Sequence, residues 1–235
     1  MTYDIQPLGD QGLCISWGNT IDVQVNALVL ALTARLQQLQ LPAVLDLIPA
    51  YSSLCMLFDA RRLLQDFPHQ QPYDYMRKRV ALEIQKITEV NFSEGRSVEI
   101  PVCYDQSLAP DLERIARQSK LDPAGIIRLH SSRTYRVYML GFLPGFPYMG
   151  TVDDRIATPR LASPRPLVPA GSVGIAGSQT GIYPLDAPGG WNLIGRTPLR
   201  LFDPNKEEPA LLRPGDQVRF TPISLATFQK NKTAP

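Results

Sequence analysis

The sequence predicts an α+β layer followed by a β-rich domain, closed or sandwiched. Two changes of pattern point to this. Up to about residue 95, strand-like runs alternate with segments whose apolar residues recur at the helical period. From Met139 onward lie 14 of the 22 prolines and 11 of the 16 glycines, which leaves little room for helices. Between those breakers run short apolar stretches of the kind that build antiparallel barrels and sandwiches.

Taken in order, "TYDIQPL" and "GLCISWG" read as short strands around a Gly-Asp turn. The next run, "IDVQVNALVLALTARLQQLQ", places Ile21, Val25, Leu28, Leu32, Leu36 and Leu39 at steps of three and four, which predicts a helix. "AVLDLI" and "SLCMLFD" are further strands joined by "PAYS". A second helix is expected over roughly 73–90, with Met76, Val80, Ile84 and Ile87 on one face. Arg61 to Gln71 reads as a connection with room for a helical turn. The order strand-strand-helix-strand-strand-helix predicts an antiparallel sheet with helices on one face, a ferredoxin-like variant. The polar stretch "NFSEGRS" is the expected linker, dividing the chain into domains 1–95 and 96–235.

In the second domain "VEIPVCY" is a strand, and "DLERIARQSK" and "DPAGIIRLHSS" are helices. The last has Asp122 as N-cap and Pro123 at the first helical position, where a missing N–H costs nothing. Strands are expected at "RVYML", "SVGIAG", "GIYPL", "WNLIG", "LRLFD" and "DQVRF", with Val218 and Phe220 sharing a face.

A net charge of +2, without blocks of like charge, argues against nucleic acid and membrane surfaces as partners. Arg77, Lys78 and Arg79 read as a solvated helix face. No run approaches a membrane span, and the N-terminus has neither a basic start nor an apolar signal core. Cys14, Cys55 and Cys103 are far apart, which suits neither a disulfide framework nor a zinc knuckle. Buried reduced thiols and a cytoplasmic setting are expected.

Several chemistries are excluded. The nucleophile elbow, the phosphate-cradling loop and the dinucleotide fingerprint are absent, and two histidines far apart make no zinc cluster. His69 lies in a polar connection. His130, near a helix end, is as readily held by carbonyls or the negative helix terminus as by a substrate. No complete catalytic set is visible, so the catalytic residues stay unassigned.

What the sequence offers is a place for a small polar ligand. Gly171, Gly174 and Gly177 recur at steps of three, where a backbone or a ligand could approach closely. "SQTG" adds hydroxyl and amide groups, followed by the aromatics Tyr183 and Trp191. The alternative is a tightly turned barrel whose glycines and prolines only shape corners, and the residues by themselves leave both open.

"LHSSRTYRVYMLGFLPGFPYMG", "TPRLASPRPLVPAGSVGIAG", "QTGIYPLDAPGGWNLIGRTP" and "LRPGDQVRF" together resemble the 5-oxoprolinase B-subunit family, also called the KipI or allophanate hydrolase subunit 1-like family. The resemblance covers about 130–220. It implies a cyclophilin-like β-barrel for the second domain. It also implies partners, the A-type and the KipA-like C-type subunits of 5-oxoprolinase, that with this chain use ATP to open the lactam of 5-oxoproline to glutamate. Phosphorylating the lactam oxygen would make the amide a better electrophile, and a chain without a phosphate loop would share that work across an interface. Other members imply other roles, inhibition of a sporulation histidine kinase or part of a carboxyltransferase unit in urea carboxylase. The Ser-Ser-Lys centre of an amidase is absent. No metal is implied. The family pattern points to His130, Phe142, Phe146, Tyr148, Arg160, Ser172, Gln179, Thr180, Tyr183 and Trp191 as substrate-binding candidates. For the substrate carboxylate, Arg160 and Arg165 are the candidates, Arg160 preferred.

Overall fold

Asp22 opens the first helix, α1 (Val23–Leu39), by accepting hydrogen bonds from the N–H groups of Gln24 and Val25 at 2.8 and 2.9 Å. Ile21 of the expected stripe therefore lies before the helix, and Val25, Val29, Leu32 and Leu36 are its buried face. The structure, a computed structural model, describes residues 1–87 and 95–232. It divides into two units, Met1–Ser93 and Glu94–Pro235. Of the expected linker, residues 91–94 lie outside the described residues, as do residues 88–90 of the expected second helix, while Ser97 already belongs to a strand.

The first unit holds β1 (Asp4–Pro7), β2 (Gly12–Ser16), β3 (Val44–Pro49) and β4 (Ser53–Phe58) in one antiparallel sheet of order β1-β2-β4-β3. The period-two alternation of strands sends Leu13 and Ile15 to one face with Leu54, Met56 and Phe58. These pack against α1 and against Met76 and Val80 of α3 (Pro72–Gln85). Fully burying each such side chain contributes about 1.5–3 kcal/mol. The connection expected over Arg61 to Gln71 contains a two-turn helix, α2 (Ala60–Asp66), capped by the Asp59 carboxylate accepting from the Arg62 N–H at 3.0 Å. Seven residues are too few to display a period, so only the cap could have signalled it.

The second unit is a closed barrel. Its strands are β5 (Ser97–Cys103), β6 (Thr134–Leu140), β7 (Pro147–Gly150), β9 (Ser172–Ala176), β10 (Gln179–Ile182), β12 (Asn192–Arg196) and β13 (Gln217–Ile223). They run in the order β10-β7-β6-β13-β5-β12-β9, with β9 and β10 closing the ring. Only the β13–β5 pair is parallel among the described barrel pairings. Val218 and Phe220 are buried together, as their spacing required. Two helices, α4 (Leu112–Ser119) and α5 (Pro123–Ser131), send Ile115 and Ile126 into the same core. Asp122 caps α5 by accepting from the Gly125 N–H at 2.7 Å, with Pro123 in the first turn. A separate ribbon pairs β8 (Arg165–Val168) with β11 (Ala187–Gly189). The expected strand "LRLFD" is not one: Phe202 makes an isolated bridge to Ala210 in a segment flanked by Pro198, Pro204 and Pro209. The described chain closes with a short helix, α6 (Leu225–Lys232).

Candidate functional site

Strand β6 ends in the tight turn at residues 141–146, closed by the Phe146 N–H donating to the Leu143 carbonyl at 3.0 Å and the Gly141 N–H to the Phe146 carbonyl at 3.1 Å. Gly145 takes φ +78° there, which glycine adopts freely. Phe142 takes φ +67°, a left-handed backbone that costs a non-glycine residue about 1–3 kcal/mol and concentrates at functional sites. Phe142 is 62% exposed, whereas Phe146 is wholly buried. Phe146 is the hub of an aromatic cluster: its ring centroid lies 5.7 Å from Phe142, 4.9 Å from Tyr148, 5.2 Å from Tyr183 and 5.3 Å from Trp191. Most of these pairs meet edge to face, the arrangement the ring quadrupoles favour.

On this cluster sits a cavity of about 280 Å³. Phe142, Tyr148, Tyr183 and Trp191 are its aromatic walls, and Pro164 and the Pro188–Gly190 segment complete its rim. Gly189 passes so close to Tyr183 that an added Cβ would collide with the phenol oxygen, so the wall requires glycine there. Arg160 is the cavity's cation. Its guanidinium carbon lies 5.9 Å from the Trp191 ring centroid, and it forms no hydrogen bond or ion pair among the described residues. Burial pushes the Tyr148 and Tyr183 phenols above their ordinary values, partly offset by the Arg160 charge, so both stay protonated at neutral pH. The Tyr183 phenol also lines the cavity, where its O–H can donate to a ligand.

Arg165, the other candidate for a carboxylate, is already committed. It donates to the buried Asp111 carboxylate at 2.8 Å and reaches the Trp191 carbonyl at 3.5 Å. The second Asp111 oxygen accepts the Leu193 N–H at 2.7 Å. This brace fixes the start of β12, hence Trp191, from a helix terminus 82 positions from Leu193 in the sequence. Asn192, also buried, donates to the carbonyls of Pro159 and Ile175, both at 2.9 Å, and so anchors the segment that ends in Arg160. Sequence reading missed both Asp111 and the role of Asn192; adjacency to Trp191 was the only available signal for the latter.

The remaining predicted residues fall outside the cavity lining. His130 is fully buried, stacked on Phe220 at 4.5 Å. Thr180 Oγ1 spends its proton on the Gly174 carbonyl at 3.1 Å, so His130 Nε2–H donates to Thr180 at 2.9 Å. His130 Nδ1 then accepts the Tyr104 O–H at 2.8 Å. Burial lowers the His130 pKa to about 3 and raises the Tyr104 phenol well above its ordinary value, so this chain of bonds stays neutral. Ser172 is buried and donates to the Pro169 carbonyl at 2.6 Å. Gln179 is half-exposed at the start of β10. The glycine repeat also serves the barrel: Trp191 Cβ fills the space a Gly174 side chain would take, and Gly171 lies against the Thr197 carbonyl. Among the described residues no group of three or more His, Cys, Asp or Glu could hold a metal ion.

The chain matches the family described as carboxyltransferase domain, subdomain C and D, over residues 3–212. It is 45% identical over 232 residues to the B subunit of 5-oxoprolinase from Bacillus subtilis, a match covering 98% of this chain and 97% of the relative. The protein of the same name from Escherichia coli is 57% identical over 129 residues, covering 55% of this chain and 59% of the relative. Among solved structures, the crystal structure of TTHA0988 superposes with a TM-score of 0.78 at 39% identity, over 91% of this chain and 40% of that one. This chain thus spans about two-fifths of that longer polypeptide. The Kluyveromyces lactis urea amidolyase shares the fold, with a TM-score of 0.77 at 18% identity over 97% of this chain and 15% of that one. The protein belongs to the 5-oxoprolinase B-subunit family and carries the carboxyltransferase domain, subdomain C and D.

Proposed function

We propose that the chain is the B-type component of an ATP-dependent 5-oxoprolinase, which opens 5-oxoproline to glutamate together with an A-type and a KipA-like C-type subunit. The support is the near full-length identity to a relative of that name, joined to one observation of the site: an unpaired guanidinium over an aromatic wall. In this reading the cavity takes a small lactam acid. The Arg160 guanidinium meets the carboxylate with two parallel hydrogen bonds, and the flat ring lies against Trp191. The Tyr183 O–H donates to a ligand oxygen. Phe142, Phe146 and Tyr148 exclude water and strengthen those bonds.

Ring opening of a stable amide needs an activated oxygen. ATP as co-substrate supplies it by phosphorylating the lactam oxygen with release of ADP. Water then adds to the carbon, the C–N bond breaks as the nitrogen takes a proton, and a second water releases phosphate from the acyl phosphate to leave glutamate. A cavity of about 280 Å³ with one free cation suits the acid far better than a nucleoside triphosphate, so the nucleotide's phosphates are held with the partner proteins. The finer assignments go with this reading: a ferredoxin-like variant for the first unit, a cyclophilin-like barrel for the second, division near residues 95 and 96, and a cytoplasmic setting. Of the candidate residues, Phe142, Tyr148, Arg160, Tyr183 and Trp191 form the site and Phe146 its floor, while His130, Thr180 and Ser172 are scaffold and Gln179 stands outside.

The test is reconstitution. The chain co-purified with its A-type and C-type partners is expected to show ATP hydrolysis that depends on 5-oxoproline. An assembled complex whose ATP hydrolysis ignores 5-oxoproline would refute the reading.

A further inference from the structure

We propose that Cys14 and Cys55 form a site of reversible oxidation, at which a hydroperoxide converts the two thiols into a disulfide stapling β2 to β4. Strand register brings them together. Cys14 stands directly opposite Cys55 in the antiparallel pairing of these strands. On the same ladder the Trp17 N–H donates to the Ser52 carbonyl and the Phe58 N–H to the Gln11 carbonyl, each at 2.9 Å. Both are directly opposed pairs that share backbone hydrogen bonds, and such pairs alternate along an antiparallel ladder with pairs that share none. Counting inward from either end makes Cys14 and Cys55 a non-hydrogen-bonded pair. There opposed Cα atoms approach to about 4.5 Å. A disulfide tolerates Cα separations of roughly 4.4–6.8 Å, so it can form without moving the strands.

The side chains agree with the backbone. Leu13, Ile15, Leu54 and Met56 fill the core, so the alternation of both strands sends the two cysteines to the opposite face, where both are half-exposed. The thiols touch there: Cys55 Sγ–H donates to Cys14 Sγ at 2.7 Å. Burial and the neighbouring Cys14 sulfur push the Cys55 thiol up to about 12, which keeps the proton on Cys55. Cys14 also borders a surface hollow of about 490 Å³ beside Tyr3, Asp4, Gln6 and Ser16, which gives a small oxidant access. Cys103, buried on the second unit, has no such neighbour among the described residues and serves as an internal control.

The chemistry balances in two steps. The Cys14 sulfur, the one that borders the hollow, attacks one peroxide oxygen as it gives up its proton, the O–O bond breaks, and the alcohol leaves with that proton (water, for hydrogen peroxide), giving a sulfenic acid. The Cys55 sulfur, losing its proton, then attacks the Cys14 sulfur. The S–S bond forms, the S–O bond breaks and water leaves. Two thiols lose two electrons in total and the peroxide gains them. A dithiol reductant reverses the change by thiol–disulfide exchange.

The test uses the full-length chain, treated with hydrogen peroxide at near-stoichiometric dose and alkylated after denaturation. The untreated chain offers three alkylatable cysteines. After treatment one is expected, Cys103, with a mass two hydrogens lower, fragments joined through Cys14 and Cys55, and full recovery on dithiothreitol. Cys55→Ser is expected to stop at a Cys14 sulfenic acid that dimedone traps. Three alkylatable cysteines after treatment, consumption of Cys103, or a Cys14 sulfinic acid beside a free Cys55 would each overturn the proposal.

Discussion

Arg165 donates to the Asp111 carboxylate at 2.8 Å while that carboxylate's other oxygen holds the Leu193 N–H, so one buried aspartate ties a helix terminus, a β-ribbon and a barrel strand together. Arg160, five positions earlier, has no such tie. Asp111→Ala should leave a guanidinium and a buried N–H unsatisfied, costing roughly 1–3 kcal/mol in urea denaturation. Arg160→Ala should change stability by about 0.5 kcal/mol or less, since among the described residues it forms no hydrogen bond or ion pair and only an open contact with the Trp191 ring.

The buried His130 sets a pH dependence. Its folded pKa of about 3 lies below the ordinary 6.5, because burial disfavours the charged ring. Between those values the unfolded chain binds a proton that the folded chain refuses. This contribution to stability is therefore complete above about pH 6.5 and is lost as pH falls toward 3, with a slope of at most about 1.4 kcal/mol per unit. Urea titrations between about pH 7 and 4 should show a steeper loss for the natural chain than for His130→Gln. Equal slopes would mean that the ring is not held neutral.

Tyr183 and Gln179 separate site from scaffold. Tyr183→Phe removes a phenol O–H from the cavity lining, so turnover of the assembled enzyme should fall about tenfold or more with little change in stability. Gln179→Ala, outside the cavity, should leave turnover within about twofold. The readouts are steady-state kinetics of the complex and thermal midpoints of the free chain. A larger effect at Gln179 than at Tyr183 would move the site to the other end of β10.

Much of this fold was legible in the residues. Helix α1 follows from its apolar period and α5 from the Asp122 cap before Pro123, and Val218 and Phe220 mark an inward strand face. The strands β7, β8 and β11 were not legible, because each carries a proline and is too short to alternate visibly. The aromatic wealth of "GFLPGFPYMG" pointed to a wall, but its division of labour, with Phe146 as floor and Phe142 as exposed rim, depends on which residues the turn inverts. Pattern could not tell Arg160 from Arg165, since the partner that occupies Arg165 is Asp111, on a distant segment. Nor could it tell that Thr180 and His130 satisfy each other inside the barrel.

The sequence carries no G-x-x-x-x-G-K-[ST] phosphate loop, which bears on partnership. The isolated chain should show no ATP hydrolysis dependent on 5-oxoproline, and activity should appear only on adding the A-type and C-type partners. A coupled phosphate-release assay reads this directly. Robust turnover by the chain alone would end the idea of a shared site.

The central claim is that the barrel cavity receives the acid through Arg160, and the Michaelis constant for 5-oxoproline in the assembled complex tests it most directly. An ammonium keeps the charge of a guanidinium but not its two parallel donors. For Arg160→Lys the expected result is a KM raised about tenfold, equivalent to about 1.4 kcal/mol of binding, with kcat little changed and the complex intact on gel filtration. An unchanged KM in an intact complex would contradict the account.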